Sequence, residues 1–203
     1  NEIFSKVSAR VSAIGYRADM ETALRTPDMA GYQLLSIQDF PGQGTAHVGI
    51  LDNFMEDKPG GFTKEQYKSF NDSVVVLAQL PKLVLTNSED LTGTISVVNY
   101  GPAALDGVVG QWKLTNGDTV LAEGTLDATD VAQGGVTEIG AFTTSLAGVT
   151  EAAKLKLEVS VDSIGSNSYD LWVYPSDLNP TVPSDVLVST NICLLYTSDA
   201  ADD

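Results

Sequence analysis

Cysteine is almost missing from this chain: the one Cys in 203 residues is Cys193, which leaves no internal disulfide framework and no thiolate zinc cluster. Basic side chains are scarce as well. Eleven Lys and Arg stand against 27 Asp and Glu, for a formal net charge of −16. Such a field repels phosphate backbones and anionic headgroups, so no nucleic acid and no membrane surface is expected as a partner. No stretch comes near the roughly 18 unbroken apolar residues of a membrane span, so membrane insertion is not expected either. There is no phosphate loop, no zinc spacing and no nucleophile elbow with its partners, and no metal or cofactor is expected. Histidine occurs once, at His47. The start, Asn1-Glu2-Ile3-Phe4, has neither a Met nor a basic region before an apolar core and reads as a cut, so it says nothing of targeting; a periplasmic or secreted bacterial setting is favoured over the cytoplasm.

What is present is globular composition, 43% apolar and 19% charged, in an order that changes near Pro81. Before it, Phe4, Val7, Val11 and Ile14 recur at three and four residues and Met20, Ala23 and Leu24 continue the pattern, which predicts a helix stopped by Thr26-Pro27-Asp28. The apolar run within Ala30–Ile37 reads as a buried strand of a parallel α/β sheet, followed by the Pro- and Gly-rich loop Gln38–Gly44. Thr63-Lys64-Glu65-Gln66 has capping-box spacing and starts a second helix running toward Phe70.

Beyond Pro81 the signal is β. Lys154–Asp162 alternates without error, with Leu155, Leu157, Val159 and Val161 on the buried face. Trp112 and Leu114 lead into Asn116-Gly117, a hairpin turn, before Val120 and Ala122. Further strands are expected around 83–85, 93–98, 136–142 and 169–174; about seven short strands with turns between them is an immunoglobulin-like count. Trp112 and Trp172 both read as sandwich core. Asp185–Ser189 reads as the first strand of a further module. The last eleven residues, Cys193 to Asp203, look like the in-frame translation of a sequencing-library adapter and are set aside from fold reasoning.

The richest chemical cluster is Gln38, Asp39, Phe40 and Gln43, with His47 following the loop. Carboxylate, amide and aromatic face together suit a sugar, whose hydroxyls take paired hydrogen bonds while its CH face lies on a ring. The other reading is structural: Asp39 caps its own loop, Phe40 fills a rim, and His47 is a loop histidine. The residue types leave both open.

Glu21–Pro27, Ala30–Leu35, Asp39–Ala46, Val48–Asp52 and Lys58, followed in the expected order by Asn167–Pro175, resemble the end of the barrel and the closing sandwich strand of glycoside hydrolase family 2, the β-galactosidase-like kind. The fold this implies is an α+β fragment: a (β/α)8 barrel remnant over residues 1–80, an immunoglobulin-like antiparallel β-sandwich over 81–175, a linker and the start of a further module over 176–192, and the adapter-derived tail over 193–203. The function it implies is that of a retaining exo-glycosidase, with its two Glu residues about 5 Å apart on earlier barrel strands, upstream of Asn1. No acidic residue of this chain is then catalytic. By the same resemblance 32–37 is the eighth barrel strand, its loop closes one side of the sugar pocket, and Phe40 stands where a Trp is usual. Substrate contacts are expected from Gln38, Asp39, Phe40, Gln43 and His47, and the expected partners are a carbohydrate and the other domains of the parent chain. A non-catalytic carbohydrate-binding or cell-surface sandwich module is the alternative.

Overall fold

The structure, a computed structural model, describes residues 1–40, 42, 47–177, 183–186 and 188. Two helices come first, α1 (Glu2–Arg25) and α2 (Lys64–Phe70). Ten strands follow: β1 (Val74–Gln79), β2 (Val84–Thr86), β3 (Asp90–Asn99), β4 (Leu105–Val108), β5 (Gly110–Asn116), β6 (Thr119–Thr125), β7 (Thr129–Val131), β8 (Gly135–Ser145), β9 (Ala153–Val161) and β10 (Gly165–Tyr174).

Both helices end where the chain chemistry says they should. Thr26, placed before Pro27, adopts an extended conformation that terminates α1. At the start of α2 the Thr63 side chain accepts from the Gln66 N–H at 3.2 Å and the Gln66 side chain accepts from the Thr63 N–H at 3.1 Å, the reciprocal capping box.

The strands form a sandwich of a three-stranded sheet, β1-β3-β8, and a five-stranded sheet, β2-β10-β9-β5-β6, with β4-β7 as a small separate pair. All the long ladders are antiparallel; β2 lies parallel to β10. Leu155, Leu157, Val159 and Val161 of β9 point into the core with Ile95, Val97, Leu114, Leu171 and Val173. Gly117, at φ +57°, makes the β5–β6 turn, where a side chain would be strained.

A third layer covers the outer face of the three-stranded sheet. Val75 and Leu77 of β1 pack there with Ala13 and Met20 of α1, Phe62, and Phe70 of α2, while Val76 and Ala78 point the other way into the sandwich. β1 is therefore covered on both sides, which explains its uninterrupted apolar run. Its position before Pro81 puts it inside the segment read from sequence as barrel, yet it pairs with β3 over six residues.

Three expectations change. No (β/α)8 barrel remnant is evident among the described residues, and 30–37 forms no strand. The isolated parallel bridge Gln38↔Leu51 is the pairing found beside it, and Leu35 is 86% exposed. A parallel strand is held by ladders to its neighbours, and an apolar run without them stays irregular. Second, the stripe that announces α1 is packed only in its later part: Phe4 is 82% exposed, and Val7, Val11 and Ile14 are exposed with it, whereas Met20 of the same stripe is buried with Ala13 and Glu21, and Leu24 packs beside them. Third, Trp112 does pack inward, stacked on Phe142 at 4.8 Å between centroids, but Trp172 faces outward. It lies one residue from the buried Leu171 and Val173, and the two-residue period of a strand sends it to the opposite face. Of the further-module strand, Asp185 lies in a turn closed by the Val186 N–H to the Pro183 carbonyl; Leu187 and Ser189, and the whole 193–203 tail, lie outside the described residues.

Candidate functional site

The Gln38 loop is tied to the segment that follows it by two backbone hydrogen bonds. Leu51 N–H donates to the Ile37 carbonyl at 2.9 Å, and Asp39 N–H donates to the Leu51 carbonyl at 3.0 Å. Asp39, 5% exposed, sits at the centre. Its Oδ1 accepts from the Gly49 N–H at 2.9 Å and from Lys58 Nζ at 2.7 Å, and its Oδ2 lies 3.5 Å from His47 Nδ1. Lys58 also donates to the Gly49 carbonyl at 2.7 Å. Gly49 is required here by space: an added Cβ would stand 2.2 Å from the Gln38 carbonyl carbon. Burial pushes the Asp39 carboxyl up, but the hydrogen bonds from Lys58 and Gly49, the Lys58 charge and His47 outweigh it, and the group is held below the ordinary carboxylate value.

Beside this knot lies a cleft of about 560 Å³ between α1 and the loop, lined by Ser5, Ser8 and Ser12 on one wall and by Asp39, His47 and Lys58 on the other. Tyr16 closes its end, donating to the Val48 carbonyl at 2.7 Å. The candidates read from sequence are placed as follows. Asp39 and His47 are together at the cleft. Phe40 is exposed and does not line the cleft, Gln38 is half-buried in the bridge to Leu51, and Gln43 lies outside the described residues. Lys58 and Tyr16 were not among them. Nothing local marks either residue: Lys58 meets Asp39 across 19 positions and Tyr16 meets Val48 across 32.

The loop-anchoring role of Asp39 makes a measurable prediction. Asp39→Ala removes the acceptor of a nearly buried ammonium and of a backbone N–H, and hydrogen bonds to charged groups contribute about 1.5–3 kcal/mol. We expect a loss of about 2–3 kcal/mol, or a Tm lower by about 4–12 °C for a chain of this size. Because the folded carboxyl is held below its unfolded value, its stabilisation is fully present above about pH 4 and is lost as pH falls through the folded value. The Tm gap between wild type and Asp39→Asn should therefore close below pH 4; a gap as wide at pH 3 as at pH 7 refutes the assignment.

A second polar cluster joins α1 to the sandwich. Glu21, 4% exposed, accepts from Arg17 Nε at 2.6 Å, from Arg25 Nη1 at 3.0 Å and from the Tyr169 hydroxyl at 3.1 Å. Arg17 Nη2 also donates to Asn167 Oδ1 at 2.7 Å, and its guanidinium lies 4.6 Å from the Tyr169 ring centroid. The Tyr169 hydroxyl accepts from the Ala78 N–H at 2.9 Å, and burial, with Glu21 beside it, pushes its phenol up. Every polar atom of this carboxylate is occupied from within. It holds layers together and has no lone pair facing an open cleft.

With this geometry in view, the family model matching the chain is the domain of unknown function DUF8488, over residues 89–175. No curated protein sequence matches. Among solved structures, exo-chitosanase CsxA from Amycolatopsis orientalis, in complex with PNP-β-D-glucosamine, superposes with a TM-score of 0.57 at 16% identity, covering 83% of this chain and 19% of that one. A second complex of the same enzyme gives 0.54 at 16% identity, covering 79% and 18%. The exo-β-D-glucosaminidase CsxA inhibited by a glucosamine-configured castanospermine gives 0.57 at 16% identity, with coverage of 83% and 19%. What is shared is the fold. The match spans most of this chain but about a fifth of the enzyme's length, so it takes in the helical layer as well as the sandwich.

Proposed function

We propose that the chain is part of a glycoside hydrolase of family 2, a retaining exo-glycosidase acting on β-glycosidic bonds. The carrying observation is that one segment of a much longer exo-chitosanase has the fold of 83% of this chain. The surface of α1 supports the same reading. Val7, Val11 and Ile14 lie opposite Ala13 and Met20 on the helix, so α1 has two apolar faces and the sandwich layer covers one. With Leu35 and Ile37 exposed nearby in the chain, the bare face suits further protein of a parent, such as a catalytic barrel formed by other parts of it.

In this reading the chain supplies one wall of a sugar pocket. Phe40 and His47, with Gln38 and Gln43 in the same loop, face the carbohydrate, and Asp39 with Lys58 holds the loop that carries them. By the family resemblance the acid/base and nucleophilic Glu residues come from elsewhere in the parent, and the two buried carboxylates here are occupied, Glu21 by its two arginines and Asp39 by Lys58. The 203-residue chain alone is expected to release no 4-nitrophenol from aryl β-glycosides, since the retaining mechanism needs both carboxyl groups. Turnover above the buffer rate by the purified chain refutes this. Cloning the parent frame and assaying it on the same glycosides tests the activity itself.

The second reading, a non-catalytic carbohydrate-binding or cell-surface module, is favoured by the family model's match to 89–175, which is sandwich alone. A parent frame without a pair of strand-end Glu residues selects it.

A further inference from the structure

The outward turn of Trp172 opens a surface that neither the loop nor the helical layer uses. On the outer face of the five-stranded sheet, Trp172 is 36% exposed and Tyr174, two residues on, is also exposed. Side chains at i and i+2 of a strand share one face about 6.6 Å apart, so the two rings stand in a row along β10. Val84, paired with Trp172 from β2, and Leu83 extend this apolar corner. Lys154 flanks it, with its Nζ 5.8 Å from the Trp172 ring centroid and 2.7 Å from Asp170 Oδ2.

Away from the corner the face becomes polar. The registers Ser168↔Glu158↔Lys113↔Glu123 and Ser160↔Gln111↔Thr125 run across four strands and three strands. They enclose a groove of about 370 Å³ lined by Trp112 and Gly124 and by six polar residues, Gln111, Lys113, Glu123, Thr125, Glu158 and Ser160. Among the described residues none of these six side chains makes a hydrogen bond or ion pair within the protein. Lys113, Glu158 and Ser160 remain free of partners although they are half-buried. The groove lies about four residues, or about 13 Å, along the sheet from the aromatic pair.

Charge decides what fits. Lys113, Lys154 and Lys156 balance Glu123, Glu158 and Asp170, so this face is neutral in a chain of net charge −16 and holds three of its eleven basic residues. A neutral face with ring platforms at one end and free donors and acceptors of both kinds at the other complements a neutral polyhydroxylated chain. Its CH faces stack on Trp172 and Tyr174, and its hydroxyls bond in the groove. A protein partner would need an apolar centre, and here the centre is polar, with the exposed apolar residues at the two edges of the sheet, Trp172, Tyr174 and Val84 at one and Val120 and Leu121 at the other. We propose that the outer face of the five-stranded sheet is an accessory binding surface for a neutral polysaccharide, separate from the Asp39 loop. The inference rests on the carbohydrate-active reading for the class of ligand, and on the geometry for the site.

The chain contains two Trp residues, and Trp112, stacked on Phe142, also lines the groove, so the fluorescence change is read in wild type and in Trp172→Phe, and the part lost in the variant reports on Trp172. The 203-residue protein is titrated with hydroxyethyl cellulose, xylan and galactomannan, and binding is measured in parallel by retardation in gels containing each polymer. At least one polymer is expected to shift the fluorescence and retard the protein. Trp172→Ala should weaken retardation at least tenfold, Lys113→Ala with Glu158→Ala severalfold, and Phe54→Ala, an exposed aromatic on the other layer, not at all. Trp172→Phe keeps a ring on the strand in case the alanine variant is unstable, and should retain weakened binding while losing the Trp172 part of the fluorescence change. Absence of binding to all three polymers overturns the proposal, as does retardation unchanged in both Trp172 variants. Neither outcome touches the parent activity, which is read from glycoside hydrolysis.

Discussion

Replacing Glu21 by Gln should lower the stability of this chain by about 2–4 kcal/mol, the largest effect we expect from a change of one functional group. Breaking a buried ion pair from one side costs about 3–5 kcal/mol because the remaining charge keeps its desolvation cost without its partner. Arg17 and Arg25 keep 26% and 20% of their side-chain surface, so water screens part of that loss and the lower range applies. Gln keeps the shape and one acceptor for Tyr169 but brings an amide N–H₂ toward guanidinium donors, which have nothing to accept it. The corresponding fall in Tm is about 4–16 °C. A cycle with Arg17→Met separates charge from packing. If the buried pair is responsible, Glu21→Met in the Arg17→Met background should cost clearly less than Glu21→Met alone, with a coupling of more than about 1 kcal/mol. Additive losses, or a Glu21→Gln protein as stable as wild type, mean that α1 is held to the sandwich by Ala13, Met20 and Phe70 and that the charges are incidental.

A chain cut at Pro81 should fail to fold as a stable sandwich, although the change of pattern in the sequence invites the cut there. It removes β1, which contributes Val76 and Ala78 to the sandwich core and carries Val75 and Leu77 against the helices. Burial of a Val or Leu side chain is worth about 1.5–3 kcal/mol, so the three large ones amount to about 5–9 kcal/mol, against a total of about 5–15 for a domain. The loss also strips one of the two partners from β3 and leaves the N–H and C=O groups on that side as an open edge, a template for aggregation. Residues 72–177 keep β1 but bare Val75, Leu77 and Val98, and should fold with a lower Tm and a tendency to associate. Residues 1–177 should unfold in one transition. A soluble 81–177 protein with a sharp melt near that of the longer chain would show that β1 is an accessory strand.

Strand and helix identity were largely legible in the sequence. The strict alternation of Lys154–Asp162, the Asn116-Gly117 turn and the Thr63–Gln66 capping box are local devices: each places its donors, acceptors or apolar side chains within a few residues. The apolar run Val74–Ala78 went unread inside the segment given to the barrel, and a strand covered on both faces carries no period that says what covers it. The run in 30–37 carries the same kind of signal and forms no strand, so an apolar run fixes burial tendency and leaves pairing to the partners available. The two apolar faces of α1 merge into one periodic pattern on paper; which of them meets the sheet was decided by Glu21, Asn167 and Tyr169 coming together across about 150 residues.

The candidate loop divides the same way. Its composition determined that a carboxylate, an aromatic and a histidine would cluster after Gln38, and left two roles open for Asp39. Only the tertiary structure brought Lys58 Nζ and the Gly49 N–H to that carboxylate, which makes it an anchor. Trp172 shows the converse: its residue type suggested core, and its place one step from Leu171 and Val173 on β10 turned it to solvent. Local chemistry is written in neighbouring residues; the partner of a charge and the side to which a ring points depend on which distant segments the fold brings beside them.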